Sequence, residues 1–247
     1  MPIDLSGGCR VSLLCEGSPA GDGNVRVWPH VGKETGARAI SLRVLEIAQG
    51  RSPLLGGAAC DEVVYVIDGA GTLLLDGESH LIGPDTGFSV PPGARFEIDN
   101  PGARPITLIS SRCPDPGDAP KPAPRDSGQR AAIVRLADCR SETTGDRWYR
   151  VLINGIVTQF VGAIPPGRAP DHYHEYEEVL CILEGRGRMW AGSSSTPVER
   201  GSCIYLPRRQ MHCVENTGGG ELRLLGVFYP AGSPAVRYSG PLGRAAT

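Results

Sequence analysis

The chain has 247 residues, 40% of them hydrophobic and 21% charged, with a formal net charge of −2. A near-neutral balance with arginine pairs such as Arg208-Arg209 but no basic stripe argues against nucleic acid or an anionic membrane surface as partner. No apolar run approaches the ~20 residues that span a bilayer, and the start MPIDLSGGCR lacks a signal-peptide pattern, so a cytoplasmic location is expected.

Thirty-four glycines and 22 prolines, spread along the chain, fit short strands and tight turns better than helices. In chain order the first β-rich runs are residues 41–47, 63–67, 71–75, 87–90, 95–98 and 106–110. Asp76-Gly77 is a hairpin signal, and Pro91-Pro92-Gly93 marks a second turn. Residues 114–130 begin with the proline-rich stretch Pro114–Ser127 and read as a linker. Beyond it come runs at 149–153, 156–164, 178–183, 187–191, 203–206, 212–215 and 222–229. No segment sustains a helical period, so an all-β sandwich or barrel with little helix is expected. The eight cysteines form no CxxC pair and read as reduced, buried small residues. Cys213 follows His212 directly and should point away from it on a strand.

Residues 56–100 and 172–216 repeat one pattern at an offset of 116. Glu62 falls on Glu178, Gly69 on Gly185, Gly71 on Gly187, Pro91 on Pro207 and Asn100 on Asn216. The histidines do not repeat: Gly56, Ala58 and Phe96 stand where the second copy has His172, His174 and His212. A repeat of this length implies two units, with an N-terminal one over 1–113 and a C-terminal one over 131–247.

In the second copy the spacing is His172-x-His174-x₃-Glu178-x₆-Gly185, then Gly201-x₅-Pro207-x₄-His212-x₃-Asn216. Residues two apart on an extended strand share a face, so His172 and His174 project together, and Glu178 stays with them if the strand continues. His212 would arrive from a neighbouring strand. Three imidazoles and a carboxylate suit one divalent transition metal, with Fe favoured over Mn, Ni, Co or Zn. Glu178 could instead orient a histidine from behind. Tyr173, Glu175 and Glu177 are expected to face outward. Gln159, Trp190, Tyr205 and Met211 are candidates to touch substrate, while no catalytic acid or base can be named.

This pattern resembles the cupin superfamily, and the resemblance covers both halves. Two departures occur in the second copy: Gly167 lies one residue too near His172, and Arg209 replaces the glycine after Pro207. The resemblance implies two tandem cupin barrels of double-stranded β-helix, or jelly-roll, type. It also implies a metal on His172, His174, Glu178 and His212 in the C-terminal barrel only. The N-terminal barrel keeps its frame, with Phe96 filling the lost site.

The implied function is a metal-dependent bicupin enzyme acting on a small organic molecule, foremost an Fe(II)-type dioxygenase. A non-redox isomerase, lyase or hydrolase is the alternative, and a non-catalytic ligand-binding protein a further one. Sheet edges exposed by such barrels make a homodimer an expectation too.

Overall fold

Alternating apolar residues bounded by glycine and proline turns produce strands nearly everywhere in the computed structural model, which describes residues 1–114 and 131–239. Among the described residues the helical elements are three short 3-10 turns, at Ser6–Gly8, Lys33–Thr35 and Leu136–Asp138. None is long and apolar enough to cross a membrane. The expected linker, beyond Pro114, lies outside the described residues.

The chain divides into two compact units, Gly17–Cys139 and Met1–Glu16 with Arg140–Thr247. These bounds differ from the expected 1–113 and 131–247. Strand Arg10–Leu13 pairs antiparallel with Ser202–Leu206 of the second unit, Arg10 opposite Tyr205 and Leu13 opposite Ser202. Strand Ile133–Arg135 pairs with Thr86–Val90 of the first. An open sheet edge presents unpaired N–H and C=O groups, and each unit covers one with a segment from beyond the repeat.

In the first unit, Asp61–Asp68, Ile106–Cys113, Leu42–Ile47 and Val25–Val31 lie side by side in a seven-stranded sheet. A five-stranded sheet is built on Gly71–Leu75, Glu78–Ile82 and Arg95–Asn100. In the second unit the larger sheet has eight strands, with Ser202–Leu206, Glu177–Glu184, Leu222–Tyr229, Thr158–Ile164 and Arg147–Asn154 consecutive. Gly167–Arg168, His212–Asn216, Arg186–Ala191 and Ser194–Glu199 form the smaller one. Each unit has its own apolar core between its sheets: Leu180, Ile182, Met189, Ile204, Val214 and Leu224 are in the second. Val64, Val66, Leu73, Phe88, Ile98 and Leu108 are in the first. This is the expected all-β, two-barrel architecture.

The repeated residues perform the same task twice. Asn216 donates to the Ile164 and Gly220 carbonyls at 2.8 and 2.7 Å and accepts from Gly218 N–H at 2.9 Å. Asn100 donates to the Ile47 and Arg104 carbonyls, both at 2.9 Å, and accepts from Gly102 N–H. Each asparagine therefore satisfies the backbone of a bend that joins two strands. Gly69 and Gly185 hold φ of +82° and +87°, a region that costs other L-residues strain. A Cβ on Gly71 or Gly187 would strike the carbonyl of Asp99 or Glu215.

Asp76-Gly77 makes the expected two-residue hairpin, with φ of 54° and 80° and Leu75 paired to Glu78. Several strands fall outside the expected runs, including Arg10–Leu13, Val25–Val31, Glu78–Ile82 and Ser194–Glu199. Val25–Val31 carries an internal proline, and its register shifts between Pro29 and Val31, which accommodates the missing donor.

Candidate metal centre

The side-chain ligand atoms of His172, His174 and His212 lie within 4.8 Å of one another at one end of the second barrel. Their rings stand 4.5 to 5.3 Å apart between centroids. His172 and His212 are joined by two backbone hydrogen bonds of 3.0 and 2.8 Å, so the pair is positioned by main chain. The His172–His174 segment is not the continuous strand expected. It makes isolated bridges to His212 and Tyr238, and the strand itself begins at Glu177. His174 O accepts Arg209 N–H at 2.8 Å. Arg209 holds φ of 64°, the left-handed geometry that glycine supplies at Gly93 in the other copy.

Each Nδ1 faces a backbone carbonyl: Pro170 at 2.9 Å, Val236 at 3.0 Å and Gln210 at 2.8 Å for His172, His174 and His212. Because a carbonyl only accepts, each Nδ1 is the protonated nitrogen, and each Nε2 keeps its lone pair. Burial pushes the imidazoles far below their ordinary value, to about 3, 2 and 4 for His172, His174 and His212. All three are neutral at neutral pH, the form that binds metals. The His174 ring is further held by stacking on Tyr176 at 4.7 Å, which stacks in turn on Phe228 at 4.1 Å.

Glu178 points inward with its Oε2 3.6 Å from His174 Nε2. Burial pushes its carboxyl up to about 8. Three clustered neutral nitrogen donors, with a carboxyl oxygen beside that of His174, fit a divalent transition metal in both charge and donor type. Without a cation the burial of Glu178 is unfavourable as an anion.

These four residues line a cavity of about 100 Å³. Its walls are largely apolar, with Phe160, Ile164, Leu180, Val214 and Leu224, and its polar rim includes Thr144, Tyr149, Arg147 and Arg237. Arg147 comes from strand Arg147–Asn154, whose Trp148 and Tyr149 also line the cavity, so strand parity does not single it out. Arg237 comes from the segment after the last long strand, and nothing in the sequence pattern marks it.

None of the four candidate substrate residues lines this cavity. Gln159 and Tyr205 sit on the opposite face of their strands from Phe160 and Ile204. Gln159 is fully buried, and its amide atoms have no hydrogen-bond partner. Tyr205 O–H donates to Glu177 at 2.8 Å. Trp190 donates to Glu215 at 2.8 Å and carries the Arg168 guanidinium 4.2 Å above its ring. Met211 is partly buried, and its carbonyl accepts from Gly192 N–H.

Two residues expected to face outward are buried. Tyr173 is 0% exposed, stacked 5.5 Å from Tyr238, and Glu177 is buried against Tyr205. Glu175 does reach outward, where it accepts from Arg208 and Arg209 at 2.8 and 2.9 Å.

The matching place in the first barrel holds a different solution. Phe96 is 1% exposed and packs edge-on to Phe88 at 5.5 Å, filling the third histidine's position. Glu62, the counterpart of Glu178, accepts from Arg43 at 2.7 Å, Ser110 at 2.6 Å and Arg112 at 3.1 Å. Two guanidiniums thus supply the positive charge that a metal would give the second barrel.

A family model described as a cupin domain matches residues 57–111 and 160–228, together half of the chain. An uncharacterized protein of Methanocaldococcus jannaschii, MJ1618, is 33% identical over 82 residues, 32% of this chain and 66% of that protein. The match thus spans a little under two thirds of that relative. The protein YlbA of E. coli superposes with a TM-score of 0.76 at 14% identity, covering 92% of this chain and 93% of that one. A Bacillus subtilis oxalate decarboxylase variant superposes with a TM-score of 0.70 at 13% identity, over 90% and 77% of the two chains. Identities this low carry the fold alone.

Proposed function

This chain belongs to the cupin family, and from that premise we propose that it is a metal-dependent enzyme acting on a small organic molecule in its second barrel. His172, His174, His212 and Glu178 would hold one divalent transition metal. The observation that carries the reading is the set of three Nε2 lone pairs, fixed by backbone carbonyls at Nδ1, converging beside a buried carboxyl.

When bound, such an ion supplies Lewis acidity and, if it is iron, redox chemistry with O₂. The rest is the work of the chain. The imidazoles are neutral and oriented before any ligand arrives, so little reorganisation is needed. Tyr176 keeps the His174 plane in place by stacking. Phe160, Ile164, Leu180, Val214 and Leu224 keep water scarce around the reacting groups, which strengthens electrostatic contacts there.

Within this reading we favour Fe(II)-dependent dioxygenation. Four protein donors leave part of an octahedral ion's coordination free, and the apolar walls suit O₂. A non-redox isomerase, lyase or hydrolase working with Mn, Ni, Co or Zn is the second reading. It needs only the Lewis acidity that such an ion would supply. Manganese also occurs in the related fold, in the Mn(II) centres of Bacillus subtilis oxalate decarboxylase.

Anaerobic Fe(II) loading followed by an oxygen-electrode screen of phenolic, diketone and hydroxy-acid compounds tests the first reading. Substrate-dependent O₂ uptake is expected. Turnover that proceeds without O₂ in the Mn or Zn form moves the assignment to the second reading, and no turnover in any form refutes both.

A further inference from the structure

Among the residues lining the cavity, the charged side chains besides the three histidines and Glu178 are Arg147 and Arg237. Two guanidiniums therefore share a small space with one carboxyl, and that carboxyl lies deep beside His174. Neither arginine is well neutralised. Among the described residues Arg147 pairs with Asp146, 3.7 Å from its Nε and with a side chain 75% exposed. The Arg147 side chain is itself only 15% exposed, and its buried Nε has no hydrogen-bond partner. Arg237 donates from Nη2 to the Thr144 hydroxyl at 2.9 Å, a neutral partner. The other nearby carboxylate, Glu142, accepts from Tyr149 O–H at 2.7 Å.

Like charges in one partly desolvated cavity repel, and an anion between them relieves the repulsion. Burial, and after it the Arg237 charge, lower the affinity of Arg147 for its proton, and both side chains line the same cavity. A metal ion would add further positive charge. The cavity is thus built to receive a negatively charged ligand.

We propose that the substrate is a small organic acid whose carboxylate docks on Arg147 and Arg237, with the remainder of the molecule turned toward His172, His174 and His212. The proposal rests on the metal-enzyme reading for the fate of the substrate, but the docking site itself is made by the arginines. Planar guanidiniums with parallel donors match a carboxylate. The apolar walls beyond suit a short carbon skeleton. Thr144 orients Arg237, and strand pairing through Thr144–Arg147 fixes the Arg147 backbone, so the pair is held by the fold.

The test compares lactate with its neutral isostere lactamide, using the full-length protein at pH 7 in the metal-free form so that chelation plays no part. Calorimetry, backed by NMR shift perturbation for weak binding, is expected to show lactate about tenfold to a hundredfold tighter. The preference should vanish in Arg147→Met and Arg237→Met and survive in part in Arg147→Lys and Arg237→Lys. Equal binding of acid and amide by the wild type overturns the proposal without recourse to any variant. So does a preference that persists in the double Met variant, and so does tighter binding of inorganic phosphate than of lactate. Elemental analysis after metal loading separates the two levels. A protein that takes up no metal yet prefers the acid sinks the metal-enzyme reading and supports the anion site. One that loads metal but treats acid and amide alike sinks only the anion site.

Discussion

Metal binding should release a proton from Glu178 and none from the histidines. In the metal-free protein, burial pushes Glu178 up to about 8 and holds His172, His174 and His212 at about 3, 2 and 4. A cation arriving beside Glu178 ionises it. The release is then about 0.9 proton at pH 7, about one half at pH 8 and about 0.1 at pH 9. It stays near one down to pH 5, because the imidazoles have already lost their protons. Had the four groups kept ordinary values, about two protons would leave at pH 6, all from histidine, and almost none at pH 8. Both profiles fall as pH rises, but the first stays near one until it drops around pH 8, whereas the second has almost vanished by pH 8 and climbs to about two by pH 6. Calorimetric titration with Mn(II) in PIPES, HEPES and Tris reads the number from the slope of observed heat against buffer ionisation heat. Release that climbs toward two as pH falls from 8 to 6 would refute the burial argument.

Glu178→Gln provides the internal control, with release near zero throughout. The same shift sets a stability trend with a definite sign. Glu178 is raised, so its contribution to the metal-free fold is fully present below its unfolded value of about 4.5 and is lost as pH rises through about 8. The metal-free Gln variant should therefore melt above the wild type at pH 8, and the gap should close toward pH 4.5. The histidines act oppositely, costing stability only as pH falls below about 6.5 toward their lowered values.

His174→Ala and His212→Ala are expected to lower metal content and turnover together while leaving β-type circular dichroism unchanged; full metal occupancy in both would remove the basis of the site. Arg43→Met deprives Glu62 of a charge-assisted bond at 2.7 Å and should destabilise the first barrel by about 2 kcal/mol in urea unfolding, without changing the metal content of the second. Deleting residues 1–16 removes the strand paired with Ser202–Leu206 and the buried Cys9 and Val11. The truncated chain should melt lower and aggregate through the bared edge, and an unchanged melting temperature would count against the placement of that strand.

The barrels were legible because a jelly roll writes its bends in residue types that few others can replace. Asn100 and Asn216 satisfy strand-joining backbone, Gly69 and Gly185 hold positive φ, and Gly71 and Gly187 admit a close carbonyl. Such requirements are local, so they recur at a constant offset. The histidines were legible for the same reason: alternate residues share a direction, and His212 follows a turn of known length. None of the four candidate substrate residues lines the cavity. Gln159 and Tyr205 belong to strands that are buried on both faces, so hydrophobic content around them says nothing about which face meets the cavity.

Sequence by itself determined the fold, its duplication and the asymmetry between an imidazole-bearing copy and one without, since each depends on residue type and spacing along the chain. Tertiary structure decided what depends on contacts between distant segments. It assigned residues 1–16 to the second unit and Ile133–Arg135 to the first, because sheet edges are closed by whichever backbone reaches them. It gave Glu62 two arginines in place of a metal. It turned each Nδ1 toward a carbonyl, one of them in the C-terminal segment at Val236. It also brought Arg147 and Arg237 to the cavity from 90 residues apart, a distance across which no local pattern carries information.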